Sequence, residues 1–213
     1  QTHSLPIDAD VQARLHALAR AHSVNPAVVF LAVYQLLLHR YTGQSDIIVG
    51  MPTIGRHDER FESVVGYFVN MVAVRSRVDG TQTGSDFLRA LQLTVVDGLD
   101  HAAYPFPAVV RDLKLPRTEN LAPVFQVAFE YQSASVIGED LFQRKAEALG
   151  RLELVSDLHQ EGEYELVLEV YEGRSGVTLN FKYDPELFEI STLQRMAAHY
   201  INLLNGLLSE PQQ

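Results

Sequence analysis

No cysteine occurs among the 213 residues. That excludes disulfides, thiolate catalysis and Cys-ligated metal, and it agrees with the reducing cytoplasm, the expected location. Basic residues are scarce. Seventeen Lys and Arg stand against 27 Asp and Glu, for a formal net charge of −10 and a pI near 5.2. A chain this acidic lacks the basic footprint that nucleic acid requires and that anionic membrane surfaces attract. No apolar run reaches membrane-spanning length, and Gln1-Thr2-His3-Ser4 lacks the basic and apolar regions of a signal peptide. There is no His-Glu-x-x-His, no Gly-x-Ser-x-Gly and no phosphate-binding loop. Internal repeats and low-complexity linkers are missing too. So is an initiator Met, which leads to the expectation of a segment cut from a longer protein.

What remains is a chain of 23.8 kDa with 46% hydrophobic residues, enough to bury most of its apolar surface in one domain. Asp8 or Asp10 can cap a helix to about His22, with Val11, Leu15 and Leu18 on one stripe. Asn25-Pro26 starts a second helix, apolar nearly all round, that Gly43 ends. Residues 46–50 and 71–78 read as strands flanking an Arg-, His- and Asp-rich loop over 52–62. A long helix follows over about 85–101, then a short one from near Phe106. Beyond it the period changes. Phe125, Val127, Phe129 and Tyr131 alternate with polar neighbours or Ala128, as do Val177, Leu179, Phe181 and Tyr183. Both runs are half-buried strands. Residues 164–171 pair with 177–183 across Glu172-Gly173-Arg174-Ser175-Gly176 as a hairpin. Ser191 is the expected cap of a last amphipathic helix, and the tail beyond Leu208 reads as frayed. The fold class is α/β, with a mixed sheet of about five or six strands covered by helices.

The eight histidines form no self-contained catalytic set. His16, His22, His39 and His199 lie on helices without spaced partners, as solvated or core-edge residues. His57-Asp58-Glu59 reads as a solvated loop, because adjacent side chains rarely converge on one ion. His159, Glu161 and Glu163 share a strand face and read as a solvated edge. Neither a metal site nor a directly bound cofactor is expected.

Four blocks carry a resemblance. Tyr41-Thr42-Gly43-Gln44-Ser45-Asp46-Ile47-Ile48-Val49-Gly50 precedes Pro52 and Arg56. Val65-Gly66-Tyr67-Phe68-Val69-Asn70 is followed by Arg75. His101-Ala102-Ala103-Tyr104-Pro105-Phe106 comes third, and Pro123-Val124-Phe125-Gln126-Val127-Ala128-Phe129-Glu130-Tyr131-Gln132 fourth. In this order and spacing they resemble the C-terminal lobe of the condensation domains of nonribosomal peptide synthetases, over essentially the whole chain. Ala102, Ala103 and Pro107 depart from the family's polar and acidic residues, and residues 117–122 blur the lead-in to the fourth block. Phe68-Val69-Asn70 follows the condensing rather than the epimerising pattern.

The resemblance implies a chloramphenicol-acetyltransferase-like fold of two lobes with a tunnel between them. The family's His-His-x-x-x-Asp-Gly motif is not in this sequence and belongs to the N-terminal lobe. The implied partners are that lobe and the donor and acceptor carrier domains, whose phosphopantetheine arms enter the tunnel. No catalytic residue is assigned to this chain, and alone it is expected to be inactive. Asn70, Arg75, Arg56, Tyr104 and Gln126 are the candidate tunnel or supporting residues. Asn70 is expected to be a buried amide fixing a turn, Arg75 and Arg56 internal ion-pair partners, and Tyr104-Pro105-Phe106 an aromatic wedge ending a helix. Residues 133–159 have weak periodicity apart from a strand-like piece at 151–155, and residues 135–145 are expected to latch the other lobe. Two other readings stay open: a non-catalytic carrier-binding or scaffolding module, and an acyltransferase fragment that uses a small thioester such as acyl-coenzyme A.

Overall fold

In the computed structural model, residues 1–56, 59–61, 63–116, 121–133, 164–173 and 176–212 are described. The expected latch, the strand-like piece at 151–155, and His57, Asp58, His159, Glu161 and Glu163 lie outside them. The elements run β1 (Thr2–Ile7), α1 (Ala9–His22), α2 (Pro26–Thr42), β2 (Asp46–Thr53), a 3-10 turn (Glu59–Phe61), β3 (Asn70–Arg77), α3 (Gly84–Asp100) and α4 (Phe106–Leu113). After these come β4 (Val127–Ser133), β5 (Leu166–Gly173), β6 (Gly176–Tyr183) and a last helix, α5 (Ile190–Ser209). The described strands form one six-stranded sheet in the order β1-β6-β5-β4-β2-β3. It is mixed: β4 runs parallel to β2 and β5, and the other pairs are antiparallel.

One face of this sheet carries the core. Phe129, Leu166, Leu168, Val170, Leu179 and Phe181 pack there against buried residues of α1, α2, α3 and α5. Helix α2 lies deepest, with ten buried residues. Each fully buried Val, Leu or Phe contributes about 1.5–3 kcal/mol relative to exposure. The buried polar side chains of α2, Tyr34 and Gln35, are matched. Tyr34 Oη donates to the Leu166 carbonyl at 3.3 Å, and Gln35 Nε2 donates to the Val74 carbonyl at 3.4 Å. Gln35 Oε1 accepts from Ser76 Oγ at 2.7 Å. Asn25 Oδ1 caps the helix through the Ala27 N–H, and Gly43 ends it at φ +68°, where a side chain would be strained.

Several expectations need correction. Strand β1 has no counterpart among the expected elements. It pairs along β6 from Thr2↔Lys182 to Ile7↔Val177, and an edge position tolerates its Pro6. Strand β2 continues through Pro52 to Thr53 rather than yielding to a loop. Strand β4 starts at Val127, leaving Phe125 outside it. The N-cap position of α5 is Glu189, not Ser191: the Glu189 carbonyl accepts the first helical bonds, from the Thr192 and Leu193 N–H groups. The tail is docked: the Pro211 carbonyl accepts from Ser85 N–H at 2.7 Å and from Ser85 Oγ at 2.8 Å. It thus supplies a partner for a free donor at the α3 N-terminus.

His16 is not an unpartnered helix residue. Its Nε2 lies 2.8 Å from Glu172 Oε1, to which Gln12 Nε2 also donates at 3.1 Å. Tyr131 Oη donates to Glu172 Oε2. Burial pushes the Glu172 carboxyl up, but the bonds from Tyr131, His16 and Gln12 outweigh it and hold the group below its ordinary value. A depressed carboxylate stabilises the fold above its unfolded pKa of about 4.3, and that stability fades as pH falls through the folded value. Glu172→Gln is therefore expected to flatten the decline of Tm on acidification from about pH 6 to about pH 3. Parallel wild-type and variant acid limbs would sink this assignment.

Candidate functional site

Asn70 opens β3, and its amide is fully engaged. Nδ2 donates to the Ala102 carbonyl at 2.8 Å and to the Tyr104 carbonyl at 2.9 Å. Oδ1 accepts from the Phe106 N–H at 2.9 Å. One half-buried side chain thus ties down the turn between α3 and α4, while its own carbonyl accepts from Thr53 Oγ1 at 3.1 Å. Phe106 and Pro107 then fill the first turn of α4, where a missing N–H costs nothing.

Beneath this turn lies an aromatic stack on the sheet face away from α1, α2, α3 and α5. The Phe106 and Phe125 ring centroids are 5.0 Å apart, and those of Phe125 and Tyr164 are 5.4 Å apart. Phe125 is only 1% exposed. Two backbone features put it there. Gly50 pairs with Ala73 on β3 and Ala128 on β4, a rung of small residues over which the ring lies. A Cβ built on Gly50 would come within 2.6 Å of that ring. Val124 has φ +75°, and the Phe125 N–H donates to the Pro123 carbonyl at 3.0 Å. That is a γ-turn with positive φ, the strained form, at a β-branched residue, costing on the order of 1–3 kcal/mol.

Of the other candidates, Tyr104 meets the Asn70 amide through its backbone carbonyl, while Arg75, Arg56 and Gln126 bond elsewhere. Arg75 makes a surface ion pair, not an internal one: Nε and Nη2 bond Asp46 at 2.8 and 2.6 Å, with the Arg75 side chain 68% exposed. This pairing raises the Arg75 pKa and lowers that of Asp46. The guanidinium of Arg56 lies 4.2 Å above the Phe68 ring and donates to the Phe61 carbonyl. Among the described residues it has that aromatic partner rather than a carboxylate. Tyr104 is half-exposed, not a wedge. Its hydroxyl donates to Asp112, a bond that raises its pKa, and Phe106 takes the wedge position instead. Gln126 Nε2 donates to the Ala122 carbonyl at 2.8 Å, next to the stack but outside it.

The loop between β2 and β3 packs on itself. Phe61 and Phe68 approach to 5.6 Å, and Gly55 takes φ +66° where a Cβ would strike the Phe68 carbonyl oxygen. Outward it presents Val65, fully exposed, and Tyr67, 88% exposed. Helix α4 buries none of its residues. Among the described residues there is no group of three or more His, Asp or Glu placed to hold a metal, and no single helix is long and apolar enough to cross a membrane.

The family model of the condensation domain matches residues 1–213. Polyketide synthase PksN of Bacillus subtilis (strain 168) is 46% identical over 199 residues, covering 93% of this chain and 4% of that protein. Tyrocidine synthase 3 of Brevibacillus parabrevis is 31% identical over 201 residues, covering 93% of the chain and 3% of that protein. The condensation domain from Monacolin K polyketide synthase MokA superposes with a TM-score of 0.84 at 23% identity, covering all of this chain and 48% of that one. The four-domain nonribosomal peptide synthetase holo-AB3403 superposes with a TM-score of 0.87 at 20% identity, over 17% of its length. The chain therefore spans a few per cent of these synthases and about half of the solved MokA condensation domain. The likeness extends to the fold, the mixed sheet with helices common to these structures.

Proposed function

The chain belongs to the condensation-domain family, and we propose that it forms the C-terminal lobe of a two-lobed domain that makes amide bonds between carrier-bound substrates. The observation that carries this reading is coverage: the whole chain aligns with 48% of the MokA condensation domain. The family's His-His-x-x-x-Asp-Gly motif is absent from this sequence, and the exposed Val65, Tyr67 and Leu113 are side chains that a second lobe would cover. In the reaction, an acceptor amine nitrogen attacks the carbonyl of a donor thioester. The C–N bond forms, the C–S bond breaks, and the donor carrier's phosphopantetheine thiol leaves. The His of the other lobe assists the attack. This chain supplies the facing wall, with the turn held by Asn70 and the stack under Phe106 giving it shape. The donor and acceptor carrier domains are the partners, and their arms are the only phosphopantetheine involved.

The test is reconstitution. The isolated chain, given loaded donor and acceptor carrier proteins, is expected to form no condensed product. The same chain joined to a condensation N-terminal lobe bearing the His-His motif is expected to form it. Product from the isolated chain, or none from the joined protein, would overturn this reading. In the second case a carrier-binding or scaffolding role takes its place, and the exposed Val65 and Tyr67 are its supporting observation.

A further inference from the structure

Three polar residues are buried among those described: Gln35, Thr53 and Ser85, the last 0% exposed. Ser85 is the second residue of α3, behind a cap that is already complete. Thr83 Oγ1 accepts from the Asp86 N–H at 3.1 Å and donates to Asp86 Oδ2 at 2.8 Å. The two donors of Ser85 are left over, and both converge on one acceptor. Its N–H and its Oγ donate to the Pro211 carbonyl at 2.7 and 2.8 Å. Gln212 Nε2 donates back to Ser85 Oγ at 3.1 Å. Gly84 clears the approach: a Cβ there would come within 2.6 Å of Leu207 Cδ1 and 3.2 Å of the Pro211 carbonyl oxygen. The tail does not dock to bury apolar surface. Leu207 is the last buried residue of α5, and Gln212 is exposed. Past the end of α5 at Ser209 the chain crosses to α3 and is gripped by its main chain, at the carbonyl of a residue with no N–H. A grip of that kind suits polypeptide that passes through rather than packs.

We propose that the start of α3 anchors the polypeptide that continues past Gln213, with Ser85 as the positioning residue that fixes where this chain leaves the lobe toward a carrier domain further along it. This role rests on the condensation reading above. The matching stretch is 4% of PksN and 3% of tyrocidine synthase 3, so in a synthase of that kind the lobe is joined to other units by its own backbone. A carrier tethered in this way reaches the tunnel at an effective concentration set by the free chain between them. Clamping the first residues after α5 shortens that free chain and gives it a single starting point. Releasing the clamp alters delivery of the carrier and leaves bond formation as it was.

The experiment has two arms, each with Ser85→Ala and with Gly84→Ala, the second of which pushes Pro211 and Leu207 off the seat. The 213-residue chain has no cysteine, so Gln212→Cys carries a single nitroxide. That change gives up one donation and leaves both bonds to Pro211. The label is expected to be immobilised, and each substitution is expected to shorten its correlation time about fivefold. The second arm uses the two-lobed protein extended through its next carrier domain. Both substitutions are expected to slow condensation with the tethered carrier about threefold. With that carrier removed from the chain and supplied in trans, the rate is expected to stay within about 1.5-fold of the parent. A substitution that only damages the fold slows both reactions. An unchanged rate in cis, equal losses in cis and in trans, or a label whose motion neither substitution changes overturns the proposal. If the parent forms no product with either carrier, the condensation reading fails by itself; the label then decides the anchor alone, and unchanged motion sinks it.

Discussion

Gly50→Ala is expected to lower the Tm of this chain by about 10 °C. A single methyl group produces it. The added Cβ would sit within 2.6 Å of the Phe125 ring, itself 1% exposed and flanked by Phe106 and Tyr164. Phe125 has no flexible end to swing away. Either β2 shifts out of register with β3 and β4, or the ring is expelled. Overpacking costs about 1–3 kcal/mol where a core can adjust, and losing a buried phenylalanine costs about 3–5 kcal/mol. The outcome falls toward the upper range because Gly50 pairs with strands on both sides. Thermal denaturation of the variant measures it. Gly50→Ala with Phe125→Ala should lose less than the sum of the single changes, since the clash is gone in the double variant. A Gly50→Ala protein melting within about 2 °C of the wild type would show that the ring is free to move.

The helices are legible in the sequence because each carries its own local signal. Asn25-Pro26 and Gly43 bracket α2, and Ser85 to His101 keeps a helical period that the structure follows one residue earlier at each end. The site is less so. The alternation Phe125, Val127, Phe129, Tyr131 runs straight through the γ-turn, so the pattern assigns Phe125 to the same face as Phe129. The φ of Val124 puts it on the other face, and no periodicity reveals a dihedral. Gly50 does carry a signal, since a glycine inside a strand pattern marks close approach of another group. An internal ion pair at Arg75 contradicts its own strand. Val72 and Val74 are buried, and a period of two turns the next residue to the opposite, open face. The partners of Asn70 lie 32 to 36 residues away, a separation that only the folded chain closes.

For the same reason, substitutions at Asn70 should separate volume from hydrogen bonding. Asn70→Ala removes two donations and one acceptance at the α3–α4 turn. The groups left behind are partly hydrated, so the cost is expected at about 1–3 kcal/mol. Asn70→Asp should cost more at neutral pH despite keeping shape. Its carboxylate can still accept from the Phe106 N–H, but it faces the Ala102 and Tyr104 carbonyl oxygens with no proton to donate. That environment disfavours the charged form, so the folded-state pKa of the introduced carboxyl is raised above its unfolded value of about 3.9. The sign follows: stability is fully present below the unfolded pKa and is lost as pH rises through the folded one. Asn70→Asp should therefore melt below Asn70→Ala at about pH 7 and overtake it near about pH 4, where the protonated carboxyl donates to one carbonyl again. Melting curves of the two variants across that range decide the matter. A Tm order that does not change with pH would mean that the amide at position 70 fills space and does not clamp the turn.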